Sequence, residues 1–181
     1  MYKHGKHPAN MRNLELNIER IKLISKRKED ENYKFRAFLK GLDSDKVDKI
    51  VHKLNDEIVS QINCQDCGNC CKLLRPCVTD TEIVALSLID KISKKDYIFK
   101  FVEKDDFDDT NYLKDTPCRY LKDKSCTIYE NRPLDCKSYP HTQKKNFISR
   151  TLGVIENYEI CPIVFNIYEL LKQELNFKTK P

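Results

Sequence analysis

The stretch CQDCGNCCK, residues 64–72, places four of the chain's nine cysteines within eight positions. Disulfides, a redox dithiol, a catalytic thiol and a metal site each crowd thiols, and each demands different surroundings. The rest of the chain separates them.

The 181 residues are 40% hydrophobic and 34% charged, enough apolar material for a core of ordinary size. The net charge of +5 is spread along the chain and interleaved with acids, which is not the footprint of a dedicated nucleic-acid binder. MYKHGKHPAN, residues 1–10, has no regular period and no apolar run behind it of the kind a secretory signal needs. The most apolar run, IVALSLI at 83–89, is too short to cross a bilayer. A cytoplasmic location is therefore expected. Thiols there stay reduced, and dense cysteines serve metals or catalysis rather than a disulfide framework. The odd count of nine also leaves one cysteine over on full pairing.

Cys64 and Cys67 have the spacing of a metal knuckle, and Gly68 behind them permits the positive φ that turns backbone N–H groups toward sulfur. Cys70 extends this to C-x2-C-x2-C, which opens the bacterial-type iron–sulfur run; zinc fingers supply separated pairs instead. Cys71 diverges from Cys70, so it serves a second metal or cluster, or packs as a small apolar group. A redox pair would need a preceding strand, and none is legible before Cys64. CRYLKDKSCTIYENRPLDCKSYPH, 118–141, adds Cys118, Cys126 and Cys136 at spacings that suit no single-loop zinc finger but do suit a chain wrapped around an irregular site. Tyr120, Tyr129 and Tyr139 would wall such a site, and Arg132 would donate to thiolates or to a phosphate-like ligand. Cys161, just before Pro162 at a helix start, is a further candidate ligand because a helix N-terminus favours the thiolate. Cys77 is open between ligand and packing thiol, and His141 between ligand and surface imidazole. His4, His7 and His52 read as bystanders.

Around the cysteines the chain reads as helical. A helix is expected over 13–27, then a charge run at 26–34 that is a solvated helix face or a loop. Val47, Ile50, Val51, Leu54, Ile58 and Val59 mark a helix over 43–60 capped by Ser44, with the cysteine cluster in the loop that leaves it. Thr79 and Glu82 form a capping box before Ile83, Val84, Leu86, Leu88 and Ile89. A short helix capped by Ser93 is expected over 93–104, an acidic loop over 105–117, and a strand or hairpin within 146–158. Pro162 opens a last helix striped by Ile163, Val164, Ile167, Leu170, Leu171 and Leu175. The fold class is mainly α, with little β: a small single domain of helices around an irregular cysteine-rich metal-binding centre. Three segments are expected: an N-terminal tail and helices over 1–60, a cysteine-cluster domain over 61–161, and a C-terminal helix over 162–181 packing on it.

CQDCGNCC followed by CRYLKDKSCTIYENRPLDCKSYP resembles the YkgJ-type CxxCxxCC cysteine-cluster family, described as zinc- or iron-chelating. Cys64, Cys67, Cys70 and Cys71 match its first block; Cys118, Leu121, Cys126, Ile128, Tyr129, Arg132, Pro133, Cys136, Tyr139 and Pro140 match its second. Lys137 stands where the pattern more often has Arg. The resemblance spans about residues 61–161 and implies a cysteine-ligated centre of zinc or iron. Some relatives are flagellin lysine methylases thought to use an iron–sulfur centre; this chain is shorter and carries no separate cofactor fold.

The candidate metal ligands are thus Cys64, Cys67, Cys70, Cys71, Cys118, Cys126, Cys136 and Cys161, with Arg132 and Tyr129 as residues beside the bound group. The cofactor is an iron–sulfur cluster or zinc, the triple spacing leaning toward iron–sulfur. Three functions compete. The first is a metal-binding module whose closed centre holds the fold and docks a protein partner. The second is an iron–sulfur enzyme acting on a protein or small molecule, which needs an open coordination position and a pocket. The third is a metal-trafficking protein, which needs exposed, exchangeable thiolates. No acid–base pair, phosphate loop or nucleotide fingerprint marks the second.

Overall fold

The computed structural model describes residues 13–178; residues 1–10, expected to lack regular structure, and His4 and His7 with them, lie outside that range. Helices dominate, in this order: α1 (Ile18–Arg27), α2 (Glu29–Leu39), α3 (Ser44–Val59), α4 (Cys64–Cys67), α5 (Cys70–Leu73), α6 (Asp80–Ile89), α7 (Lys94–Phe101), α8 (Leu134–Ser138), α9 (Thr151–Tyr158) and α10 (Pro162–Glu174). The strands are short: β1 (Val102–Lys104), β2 (Asn111–Leu113), β3 (Leu121–Lys122) and β4 (Ser125–Cys126). The mainly α class with little β is therefore correct. The described residues form two compact units, one of residues 13–62 together with 142–178, the other of residues 63–141.

In the first unit, α3 and α10 pack together through the stripes read from the sequence. Val47, Val51, Leu54 and Ile58 of α3 are buried, as are Ile163, Val164, Ile167 and Leu171 of α10. The cap of α3 is Asp43 rather than Ser44. Asp43 has extended backbone, and its carboxylate accepts from the Lys46 N–H at 2.9 Å, while Ser44 is already helical. The first helix begins at Ile18, not near residue 13, because the Asn17 side chain caps it and the preceding segment is committed elsewhere. The Glu15 N–H donates to the Asn166 amide oxygen at 3.0 Å, and the Asn166 amide donates back to the Glu15 carbonyl at 2.9 Å. The charge run at 26–34 enters α2, and part of it faces inward: Lys172 Nζ donates to Glu31, Asn32 and Glu169, each at 2.6 Å.

Residues 146–158 are helical, not a strand or hairpin. A short 3-10 turn, Phe147–Arg150, runs into α9. Phe147, Thr151, Val154 and Tyr158 recur at three and four positions and are all buried, the period of a helix face rather than of a strand. Buried Asp48 of α3 anchors the turn, accepting from the Asn146 and Phe147 N–H groups at 2.7 and 2.9 Å. Gly153, inside α9, has nothing within 4 Å of where a Cβ would sit. Gly153→Ala is therefore expected to raise stability by about 0.5–1 kcal/mol through reduced backbone entropy in the unfolded chain, or about 3 °C in Tm. A thermal melt with no rise would contradict that placement.

In the second unit, the Thr79–Glu82 capping box is present and opens α6. Ser93 caps α7, which ends at Phe101 rather than at 104 because the chain there extends into β1. The acidic loop is partly strand: β2 pairs antiparallel with β1 in the register Val102↔Leu113, and Cys77 bridges Tyr112. Val78, Ile83, Leu86, Tyr97, Val102, Leu113 and Tyr120 form the core of this unit, and Cys118 and Cys126 pack against it. The Arg119 guanidinium lies 3.3 Å from the Phe101 ring centroid and pairs with Asp90 at 3.0 Å.

Candidate metal centre

The first cysteine block is two single helical turns rather than a loop. Asn63 caps α4 by accepting from the Gln65 N–H at 3.1 Å. Cys64 and Cys67 stand at the two ends of that turn, a spacing that puts both side chains on one face. Gly68 ends it with φ +60°, its N–H donating to the Cys64 carbonyl. The sequence implied this positive φ; a second constraint on the same residue was not legible. A Cβ on Gly68 would lie 2.4 Å from the Lys124 carbonyl oxygen, in the turn that joins β3 to β4. Cys70 and Cys71 then open α5.

Hydrogen bonds to backbone carbonyls tie the second block to the first. The Cys118 N–H donates to the Cys71 carbonyl at 2.7 Å, and the Ser125 hydroxyl donates to the Gln65 carbonyl at 3.2 Å. Cys126 sits on β4 opposite Leu121, and Cys136 lies in α8. Arg132 stacks over the Tyr129 ring, 3.6 Å from its centroid, and donates to the Tyr129 carbonyl. Seven of the expected ligands, together with Arg132 and Tyr129, belong to this unit. The eighth, Cys161, belongs to the other unit, where it is buried in the N-cap position of α10.

The thiols influence one another. Burial pushes Cys64, Cys118 and Cys126 up from the ordinary thiol value. Burial, followed by the charges of Cys71 and Cys118, pushes Cys136 up to about 12. Cys71 moves the other way: a hydrogen bond with Cys70 lowers it to about 7. The Arg132 charge favours the thiolate at Cys64, Cys71 and Cys126. No cysteine is in a disulfide.

Among the described residues, no three Cys, His, Asp or Glu side chains already enclose a cation position. What fits a metal is the chemistry of the donor set: soft thiols from two blocks in one unit, six of the seven partly buried, a set that suits zinc or an iron–sulfur cluster. Thiols held protonated at neutral pH must give up their protons to a metal. Titrating Zn2+ into metal-free protein at pH 7 is therefore expected to release about three to four protons per ion, with affinity rising as pH rises. Calorimetry in buffers of different ionisation enthalpy measures this, and a pH-independent affinity would contradict it.

Asp135, which no sequence signal marked beyond its place beside Cys136, organises the edge of the site. Its carboxylate accepts from the Cys77 N–H at 3.1 Å and meets His141 Nε2 at 3.2 Å, while His141 Nδ1 lies 3.1 Å from the Ser138 hydroxyl. Burial, then the Asp135 charge, raises the Cys77 thiol. Cys77 and His141 are thus each held by a carboxylate.

No helix among the described residues is long and apolar enough to cross a membrane. No curated protein and no solved structure matches the chain. A model of the CxxCxxCC family, described as "Putative zinc- or iron-chelating domain", matches residues 63–154, just over half of the 181 residues and both cysteine blocks. On that match the chain belongs to the CxxCxxCC family of metal-chelating domains.

Proposed function

We propose that the chain is a cytoplasmic metal-binding protein whose centre is held by thiolates from both blocks, drawn from Cys64, Cys67, Cys70, Cys71, Cys118, Cys126 and Cys136. Cys161, in the other unit, is not counted in this set. The observation that carries the reading is the 2.7 Å bond from the Cys118 N–H to the Cys71 carbonyl, which ties the two blocks together at two of their cysteines. The first block supplies four thiols within eight positions, whereas the second has no self-sufficient structural-zinc spacing, so shared ligation accounts for the second. A reducing compartment follows from the same chemistry, because ligating thiolates persist where disulfides do not form. Arg132, stacked on Tyr129, offsets the negative charge that several thiolates bring to one cation. A bound centre supplies cross-linking of loops, and an iron–sulfur centre supplies electron transfer as well.

Between the metals, we favour iron–sulfur on the C-x2-C-x2-C spacing and on the number of thiols beyond four. Protein made in iron-replete cells and kept anaerobic decides it. Brown protein with acid-labile sulfide, whose absorbance bleaches on dithionite, is the expected result. Colourless protein with stoichiometric zinc and no sulfide would reverse the choice.

A further inference from the structure

Two surface features of the 63–141 unit are complementary, and of the residues they use only Arg132 also faces the thiols of the candidate metal centre. The turn between β1 and β2 carries Asp105, Asp106, Asp108 and Asp109 around Phe107, which is 99% exposed. The turn is braced from within. The Asp105 carboxylate accepts from the Phe107 N–H at 2.8 Å, the Asp105 N–H donates to the Thr110 carbonyl at 2.8 Å, and the Asp108 carboxylate accepts from the Thr110 N–H at 3.0 Å. A phenyl ring held fully in water by an ordered turn contributes nothing to the unit's own core.

On the same unit, α6 and the segment 131–137 border a cleft of about 430 Å3, with Ala85, Leu88, Ile89 and Leu134 as its apolar lining and Arg132 and Lys137 beside them. Leu88 and Leu134 are 71% and 67% exposed. The one acid in the cleft, Glu82, is committed: it accepts from the Leu134 N–H at 2.6 Å and from the Thr79 N–H and hydroxyl. The cleft therefore presents an apolar floor with two cations beside it, the Glu82 carboxylate being turned to its own N–H and hydroxyl donors.

We propose that the Phe107 turn of one copy docks in this cleft of a second copy, the phenyl ring against Leu88, Ile89 and Leu134 and the flanking aspartates against Lys137 and Arg132. Charge complementarity selects this occupant. Asp109 is paired with Lys104 at 2.6 Å; the remaining aspartates of the turn are repelled by an anionic bilayer, whereas they match the two cations that border the apolar floor. Knob and socket are different surfaces, so the contact is heterologous. Its small size makes it weak, on the order of 100 μM, and salt weakens it further.

Full-length, anaerobically purified protein under reductant is examined by light scattering and sedimentation from about 10 μM to about 1 mM. The wild-type mass should rise with concentration. Phe107→Ser, which lacks the knob, and Leu88→Glu, which lacks the socket, should each stay monomeric with unchanged circular dichroism. A mixture of the two should form a 1:1 complex, because each retains what the other has lost. Leu134→Glu replaces Leu88→Glu should the latter fail to fold. A wild type that is monomeric throughout, a Phe107→Ser variant that associates as wild type does, or a mixture that stays monomeric would overturn the proposal, the first of these leaving Phe107 to a different protein.

Discussion

Cys67→Ser is expected to lose the metal and to melt the 63–141 unit in the same step. A unit of that length stands at the size where a single hydrophobic core supplies only about 3–5 kcal/mol. Its core is seven buried residues, and its sheets are two short hairpins. Structural zinc sites contribute on the order of 10 kcal/mol apparent, as much as the whole stability of an ordinary domain. Cys67 closes the α4 turn and precedes Gly68, so its loss removes a ligand where the first block bends toward the second. The expected result is poorly soluble protein, or protein whose circular dichroism and melting show the loss of this unit. An unchanged melting temperature with the metal gone would refute the claim that the metal carries folding energy.

Gly68→Ala is the second large effect, and it acts without touching a thiol. At φ +60° a side chain alone costs about 1–2 kcal/mol. The new methyl would also lie 2.4 Å from the Lys124 carbonyl oxygen and 3.1 Å from its Cα. Those neighbours are backbone, so relief requires the β3–β4 turn, and Cys126 with it, to move away from the first block. Metal content and melting temperature should fall together. Gly41→Ala is the control, since its Cβ meets only the Phe38 carbonyl at an ordinary 3.5 Å. Equal effects from the two substitutions would show that the two blocks do not depend on close approach at Gly68.

The features legible in the sequence are those that local spacing determines. The α3 and α10 stripes, the Thr79–Glu82 box, the Ser93 cap and Pro162 at the first turn of α10 each declare themselves within a few residues. The cysteine blocks, with the glycine behind Cys67, marked the zinc- or iron-chelating family in the same way, through spacing. What stayed hidden depends on partners far along the chain. Asp48 fixes the turn before α9 from 98 and 99 positions away, a contact that the spacing of Phe147, Thr151, Val154 and Tyr158 does not disclose. Asn166 holds Glu15 from 151 positions away, which delays the start of α1. The fit of Gly68 against Lys124 and the hold of Asp135 on Cys77 and His141 are contacts of the same kind. Asp43 was a nearer miss: two adjacent capping residues compete, and the extended backbone of Asp43 decides between them.

The most direct measurement is the anomalous-scattering map of crystals grown from anaerobically purified protein, recorded at the absorption edge of the metal that elemental analysis identifies. The account predicts a peak, or a compact group of peaks, about 2.3 Å from Sγ atoms of both blocks, at least one among Cys64, Cys67, Cys70 and Cys71 and at least one among Cys118, Cys126 and Cys136. A peak ligated by one block alone, or one placed away from these sulfurs, would contradict it.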